Sequence, residues 1–263
     1  QINLAGPAAT DQTWTIASSN SSVVSVPASA VVSGGSSSAT FPLTINGVSA
    51  NTSVTINVRH NGFIAQRAIT IIPSMIQSVS VTPQVVIGGG STTAILNLTG
   101  TAPAGGQTVN LFSSKPAVAS VPANAIVPAG QSTYGVMVTT FGVNSNQGVV
   151  ITASTGAVSK TAFFAVNAPS LMSISVFPAT IQGGQTGTLT LNINGIAPTG
   201  GFSIVLFSGA PSIVFLTASA SITAGEVTRN VDVPTAPVTT SLPVTIFATR
   251  SGIYRTTTLT VTP

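Results

Sequence analysis

Three carboxylates and one imidazole are the whole acidic and histidine complement of this chain of 263 residues: Asp11, Glu226, Asp232 and His60. Cleavage of a glycosidic bond by paired carboxylates needs two of them within about 10 Å. Glu226 and Asp232 stand closest in sequence, yet on an extended strand they share a face about 20 Å apart. Their spacing fits solvated positions. A calcium clamp between domains needs several carboxylates together, and no such cluster exists. His60 is alone, so multi-histidine metal sites are excluded, and it precedes Asn61-Gly62, a hairpin-turn signal. A solvated turn residue is the expectation. With no cysteine, thiolate catalysis, disulfides and Cys-ligated metals are excluded. Gly183-Gly184-Gln185-Thr186-Gly187 lacks the lysine and the following helix of a phosphate cradle and reads as a turn. No catalytic, cofactor or metal site is assigned.

The cations follow a positional pattern. Arg59, His60 and Arg67 flank the last hairpin of the first third of the chain, Lys160 that of the middle third, and Arg250 and Arg255 that of the last. Such groups either contact a neighbouring domain or partner, or keep an exposed hairpin soluble; solubility is the preferred reading. Seven Lys and Arg against three acids give a formal charge of +4, but without any basic run nucleic acid is not an expected partner. Trp14, Tyr134, Phe202 and Tyr254 could stack on sugar rings. Trp14 aligns with Val109, a strand position, and is expected in the core; Phe202 follows Gly201 at a loop edge and is expected at the surface. Asn20, Asn51 and Asn97 each begin an Asn-x-Ser/Thr glycosylation pattern, which also arises by chance in a chain this rich in Asn, Ser and Thr.

Positioning these residues falls to a repeated unit. Val26-Pro27-Ala28, Val121-Pro122-Ala123 and Leu216-Thr217-Ala218 recur at intervals of 95 (26, 121, 216), each followed by a turn containing Gly34-Gly35, Ala129-Gly130 or Ala224-Gly225. A fixed period sets the size of the folding unit. It divides the chain into units 1–73, 74–168 and 169–263. The chain is 43% hydrophobic but 4% charged, so Ser, Thr, Asn and Gly carry the polar surface. Despite a mean hydropathy of +0.56, no apolar run approaches the ~18 residues of a spanning helix, and 5% aromatics cannot build the girdles of a membrane barrel. The shortage of Lys and Glu points to the outside of a cell. A chain starting at Gln1 without a signal peptide or an anchor is expected to be processed or truncated.

Unit two reads as strands throughout. Ile76, Val79 and Val81 begin the first, which Pro83 ends; Gly88-Gly89-Gly90 turns the chain into Thr93–Leu98. Thr108–Phe112 follows the loop Gly100–Gly106. Val118–Val121 and Ile126-Val127 are edge pieces broken by Pro122 and Pro128, which cannot donate to a central ladder. Gln131–Thr140, Val149–Ala153 and Val158–Val166 complete the unit. Seven short strands with frequent turns predict an all-β, antiparallel sandwich. Unit three repeats the register, with Leu171, Ile174, Val176 and Pro178 standing 95 beyond Ile76, Val79, Val81 and Pro83.

On its Gly-Gly turn, its Ala-Pro-x-Gly-Gly loop (Ala102–Gly106, Ala197–Gly201) and its Val-Pro-Ala stretch, the chain resembles the tandem bacterial immunoglobulin-like repeats of secreted and surface-attached proteins. The resemblance covers all three units. It implies a non-enzymatic rod of three sandwiches in an extracellular stalk, filament or adhesin, with self-association or other surface-protein subunits as partners and no cofactor. A carbohydrate-binding or spacer module of a larger exported enzyme or adhesin is the alternative, with a glycan as ligand. Short proline-containing linkers such as Asn167–Ser170 predict a semi-rigid rod. Asn3-Leu4-Ala5-Gly6 corresponds to Asn97-Leu98-Thr99-Gly100, yet Gln1 and Ile2 alone precede it. Unit one is therefore expected to lack its first strand and most of its second, leaving an open apolar groove beside Leu4 for a donated or unseen strand.

Overall fold

The computed structural model describes all 263 residues. Every regular element is a strand, as a chain rich in Val, Thr and Ile dictates, since branched side chains fit a pleated, half-buried surface. The chain is an array of immunoglobulin-like sandwiches whose sheets group by chain segment.

The middle sandwich shows the plan. Ile76–Thr82 pairs antiparallel with Ser91–Leu98, which pairs with Thr133–Thr140, and Ala119–Ser120 lies on the far edge. The facing sheet runs Val85–Ile87, Val158–Asn167, Gln147–Thr155, Gln107–Ser113, Asn124–Val127. Between the sheets, 22 buried residues from Ile76 to Val166 form one core. Strand alternation selects them. In Ser91–Leu98 the buried set is Thr92, Ala94, Leu96 and Leu98, which puts the adjacent Ile95 and Leu96 on opposite faces. Both proline-bounded pieces lie at sheet edges.

The strand Val85–Ile87 is not apparent from sequence, where it reads as a connection to the glycine turn. Pro83 has no N–H for the ladder, so the chain leaves the first sheet there and crosses to pair parallel with Ala165–Asn167 in the second. Thr180–Gln182 does the same against Thr260–Thr262. The last sandwich holds its own core of 20 buried residues, Leu171 to Val261.

The first segment is built differently. Ile2–Asn3 pairs with Ser38–Ala39, while a four-stranded sheet joins Ser29–Val32, Gln12–Ser18, Thr52–His60 and Phe63–Ile71. Its interior is divided into two clusters of four buried residues: Ile2, Ala8, Trp14 and Val32, then Ile16, Val24, Val54 and Ile56.

Consecutive sandwiches meet through main chain. Gly47 bridges Pro103, and a Cβ on Gly47 would collide with the Thr101 carbonyl. One period on, a Cβ on Gly142 would lie 2.6 Å from the Ile196 oxygen and 2.8 Å from the Ala197 oxygen. Glycine permits this approach and no side chain would. Beside it, the Ile196 N–H donates to the Gly88 carbonyl at 3.0 Å. The connecting residues are pinned on both sides: the Ala168 N–H donates to Asn146 Oδ1 at 2.9 Å and the Ser170 N–H to Asn194 Oδ1 at 2.7 Å.

Candidate functional site

The inner faces that are covered in the second and third sandwiches lie open in the first. Leu43 is 42% exposed, whereas Val138 and Val233, one and two periods on, are 0% exposed. Ile69 and Ile71 are half-buried where Phe164, Val166, Leu259 and Val261 are fully buried. The cause is strand pairing. In the middle sandwich Gly135–Thr139 is bonded to Ser91–Ile95, and Ile76, Val79 and Val81 add buried side chains. In the first, Ser38–Ala39 is paired on that side, and Thr44–Ile45 pairs with Val24–Ser25. Thr40–Leu43 belongs to no sheet. The result is a groove of about 240 Å³ whose apolar lining includes Phe41, Leu43, Ile56, Val58 and Ile69, with Gln1, Gln66 and Arg67 as its polar lining.

The groove does not open at Leu4. That side chain is half-buried against the cluster of Ile2, Ala8, Trp14 and Val32, and its N–H donates to the Ser37 carbonyl at 2.8 Å. Pairing of Ile2–Asn3 keeps the edge intact there, so the opening lies farther along, at Phe41 and Leu43.

The hairpin-tip cations largely serve their own sandwich. His60 Nδ1 donates to the Thr13 carbonyl at 2.8 Å, Nε2 lies 3.1 Å from Asn61 Nδ2, and the ring stacks on Trp14 with centroids 5.1 Å apart. Arg250 Nη1 donates to the Ser203 carbonyl at 2.6 Å, and its guanidinium lies 3.8 Å above the Phe202 ring. Burial there lowers the Arg250 pKa from its ordinary value because desolvation disfavours the charged form. Arg255 Nε donates to the Met172 carbonyl at 2.7 Å and Nη1 to the Tyr254 carbonyl at 2.8 Å. Arg59, Arg67 and Lys160 are exposed.

Trp14 is buried in the core, whereas Phe202 is not the surface aromatic that its loop-edge position suggests. It is 2% exposed. Gly201, at φ 83°, turns the chain so that Phe202 opens its strand facing inward with Ile204 and Leu206. Of the glycosylation-pattern residues, Asn51 is exposed and Asn20 half-buried, the latter accepting from Ser22 Oγ at 2.6 Å. Asn97 lies within a strand, donating to Ser78 Oγ at 3.1 Å and accepting from Thr133 Oγ1 at 2.9 Å. A glycan on Asn97 would disturb that cross-strand pair.

Asp11 Oδ1 accepts the Gly34 N–H at 2.8 Å, a loop-closing role, and no three of the His, Asp and Glu side chains gather. Sequence reasoning missed the junction glycines, although a signal was present: Gly47-Val48 and Gly142-Val143 stand one period apart.

No family model and no curated protein matches the chain. Among solved structures, it is similar to FdeC, described as an Escherichia coli adhesin, at 16% identity over 98% of this chain and 94% of that one, with a TM-score of 0.38. It is also similar to invasin, described as a bacterial integrin-binding protein, at 15% identity over 96% of this chain and 53% of that one, TM-score 0.42. A tandem from titin gives 8% identity over 99% and 98%, TM-score 0.36. The fold assignment rests on this chain's own sheets and cores.

Proposed function

We propose that the chain is a non-enzymatic structural segment of a cell-surface or extracellular protein, in which units 1–73, 74–168 and 169–263 form a stiff stalk, filament or adhesin repeat. The observation that carries this reading is the recurrent junction. Gly47 against Thr101–Pro103 and Gly142 against Ile196–Ala197 place main chain on main chain at one period, and the intervening linker is bonded to the sandwich on either side. A flexible linker would let neighbouring domains swing; a pinned one fixes their relation. That favours a part whose job is reach and presentation. The exposed Arg59, Arg67 and Lys160 are proposed as contacts for partner subunits. No helix is long and apolar enough to cross a membrane.

Antibody labelling of intact cells of the producing organism tests the assignment. Strong labelling without permeabilisation is expected, and labelling seen only after lysis would overturn it.

A further inference from the structure

We propose that Pro237 closes the far end of the third sandwich to the main-chain junction that joins the other units, so that the stiff array stops there and a sandwich attached to that end swings. The inference rests on the pinned junction that carries the stalk reading. Gly47, Gly142 and Pro237 stand one period apart. Around the last two the main chain takes one path. A Cβ on Gly88 would lie 2.6 Å from the Phe141 oxygen and 3.0 Å from Gly142 Cα, and a Cβ on Gly183 would lie 2.7 Å from the Ala236 oxygen and 2.8 Å from Pro237 Cα. Thr140 Oγ1 donates to the Gly90 carbonyl, and one period on Thr235 Oγ1 donates to the Gln185 carbonyl. The frame is the same; the side chain is not.

Proline carries the Cβ that the junction excludes. On Gly142 that atom would meet the Ile196 and Ala197 oxygens of the next sandwich at 2.6 and 2.8 Å, and a pyrrolidine ring fixed to the backbone cannot rotate out of the way. Two further ties are missing from the same end. Asn146, whose Oδ1 accepts the Ala168 N–H, is replaced one period on by Ser241, and Ala168 by Pro263, which has no N–H to donate. The turn on which the neighbour rests is retained as Gly183-Gly184, with Gly184 at φ 89° and Gly89 at φ 93°. The changes thus fall on the residues that grip a neighbour and spare those that shape the end. Pro237 itself is exposed. Without a gripping junction, relative motion is the default for neighbouring domains.

The test appends a second copy of residues 169–263 after Pro263, so that the incoming loop Asn194–Ala197 is the same at both junctions and the receiving end alone differs. Spin labels at Lys160→Cys and Tyr254→Cys read the native junction; Arg255→Cys with Tyr254→Cys in the appended copy reads the new one. A narrow distance distribution is expected at the first and one at least about twice as wide at the second. Restoring the grip with Pro237→Gly, Ser241→Asn and Pro263→Ala should narrow the second. In the unaltered chain Gly142→Pro should widen the native distribution, a readout independent of how the added copy folds. Equally narrow distributions at both junctions, a second junction left wide by the three restorations, or no widening by Gly142→Pro would overturn the proposal. A wide native distribution in the parent would overturn the stalk reading together with it.

Discussion

Phe164→Ala is expected to remove about 3–5 kcal/mol from the second sandwich, the loss typical of a large side chain deleted from a close-packed core. Phe164 is fully buried among the 22 residues of that core. A domain has about 5–15 kcal/mol in all, so the unit is left marginal. The last sandwich has a separate core, and its transition should stay within about 0.5 kcal/mol. Phe163→Ala, one residue away on the opposite face and 63% exposed in the parent, should also cost within about 0.5 kcal/mol. Hydrogen exchange during denaturation resolves the units separately. Equal losses at the two positions would contradict the inward and outward assignment.

Gly142→Val is the second large effect. Its side chain would be driven into the main-chain oxygens of Ile196 and Ala197, and both segments are tied to their own sandwiches, the Phe141 N–H donating to the Val118 carbonyl at 2.9 Å and the Ala197 N–H to the Glu226 carbonyl at 2.8 Å, which leaves little room to yield. The junction should open, with loss of the bond from the Ile196 N–H to the Gly88 carbonyl. With no native cysteine, spin labels at Lys160→Cys and Tyr254→Cys report the relation of the second and third sandwiches directly. The parent should give a narrow distance distribution and Gly142→Val a broad one, while both cores unfold as before. An unchanged narrow distribution would show that the glycine contact does not set the geometry.

Much of this was legible in the residues. The period of 95 placed equivalent positions, and the polar–apolar alternation of Gln131–Thr140 marked a strand. What was lost arose where a local cue met a longer-range demand. Val85–Ile87 looked like a turn approach because parallel pairing with Ala165–Asn167 leaves no local signature. Phe202 looked exposed because a glycine before an aromatic reads as a loop edge; the conformation of Gly201 turns it inward. The open groove was foreseen from the missing counterparts of Ile76, Val79 and Val81. Its location was not, because the pairing of Ile2–Asn3 that closes the edge at Leu4 depends on two residues, too few for a periodic signal. The junction glycines carried the right period but no other cue, since close approach of two domains is invisible within one.

Small-angle scattering of the unaltered chain shows whether pinned junctions hold the sandwiches in an extended rod. Three sandwiches end to end, at about 35–40 Å each, make a particle about 100 Å or more long, with a radius of gyration of about 30 Å. A globule of this chain length would give about 18 Å. The larger value is expected, unchanged between low and high salt because so few charges are present to screen; a radius near that of the globule would show that the junctions do not hold the units end to end.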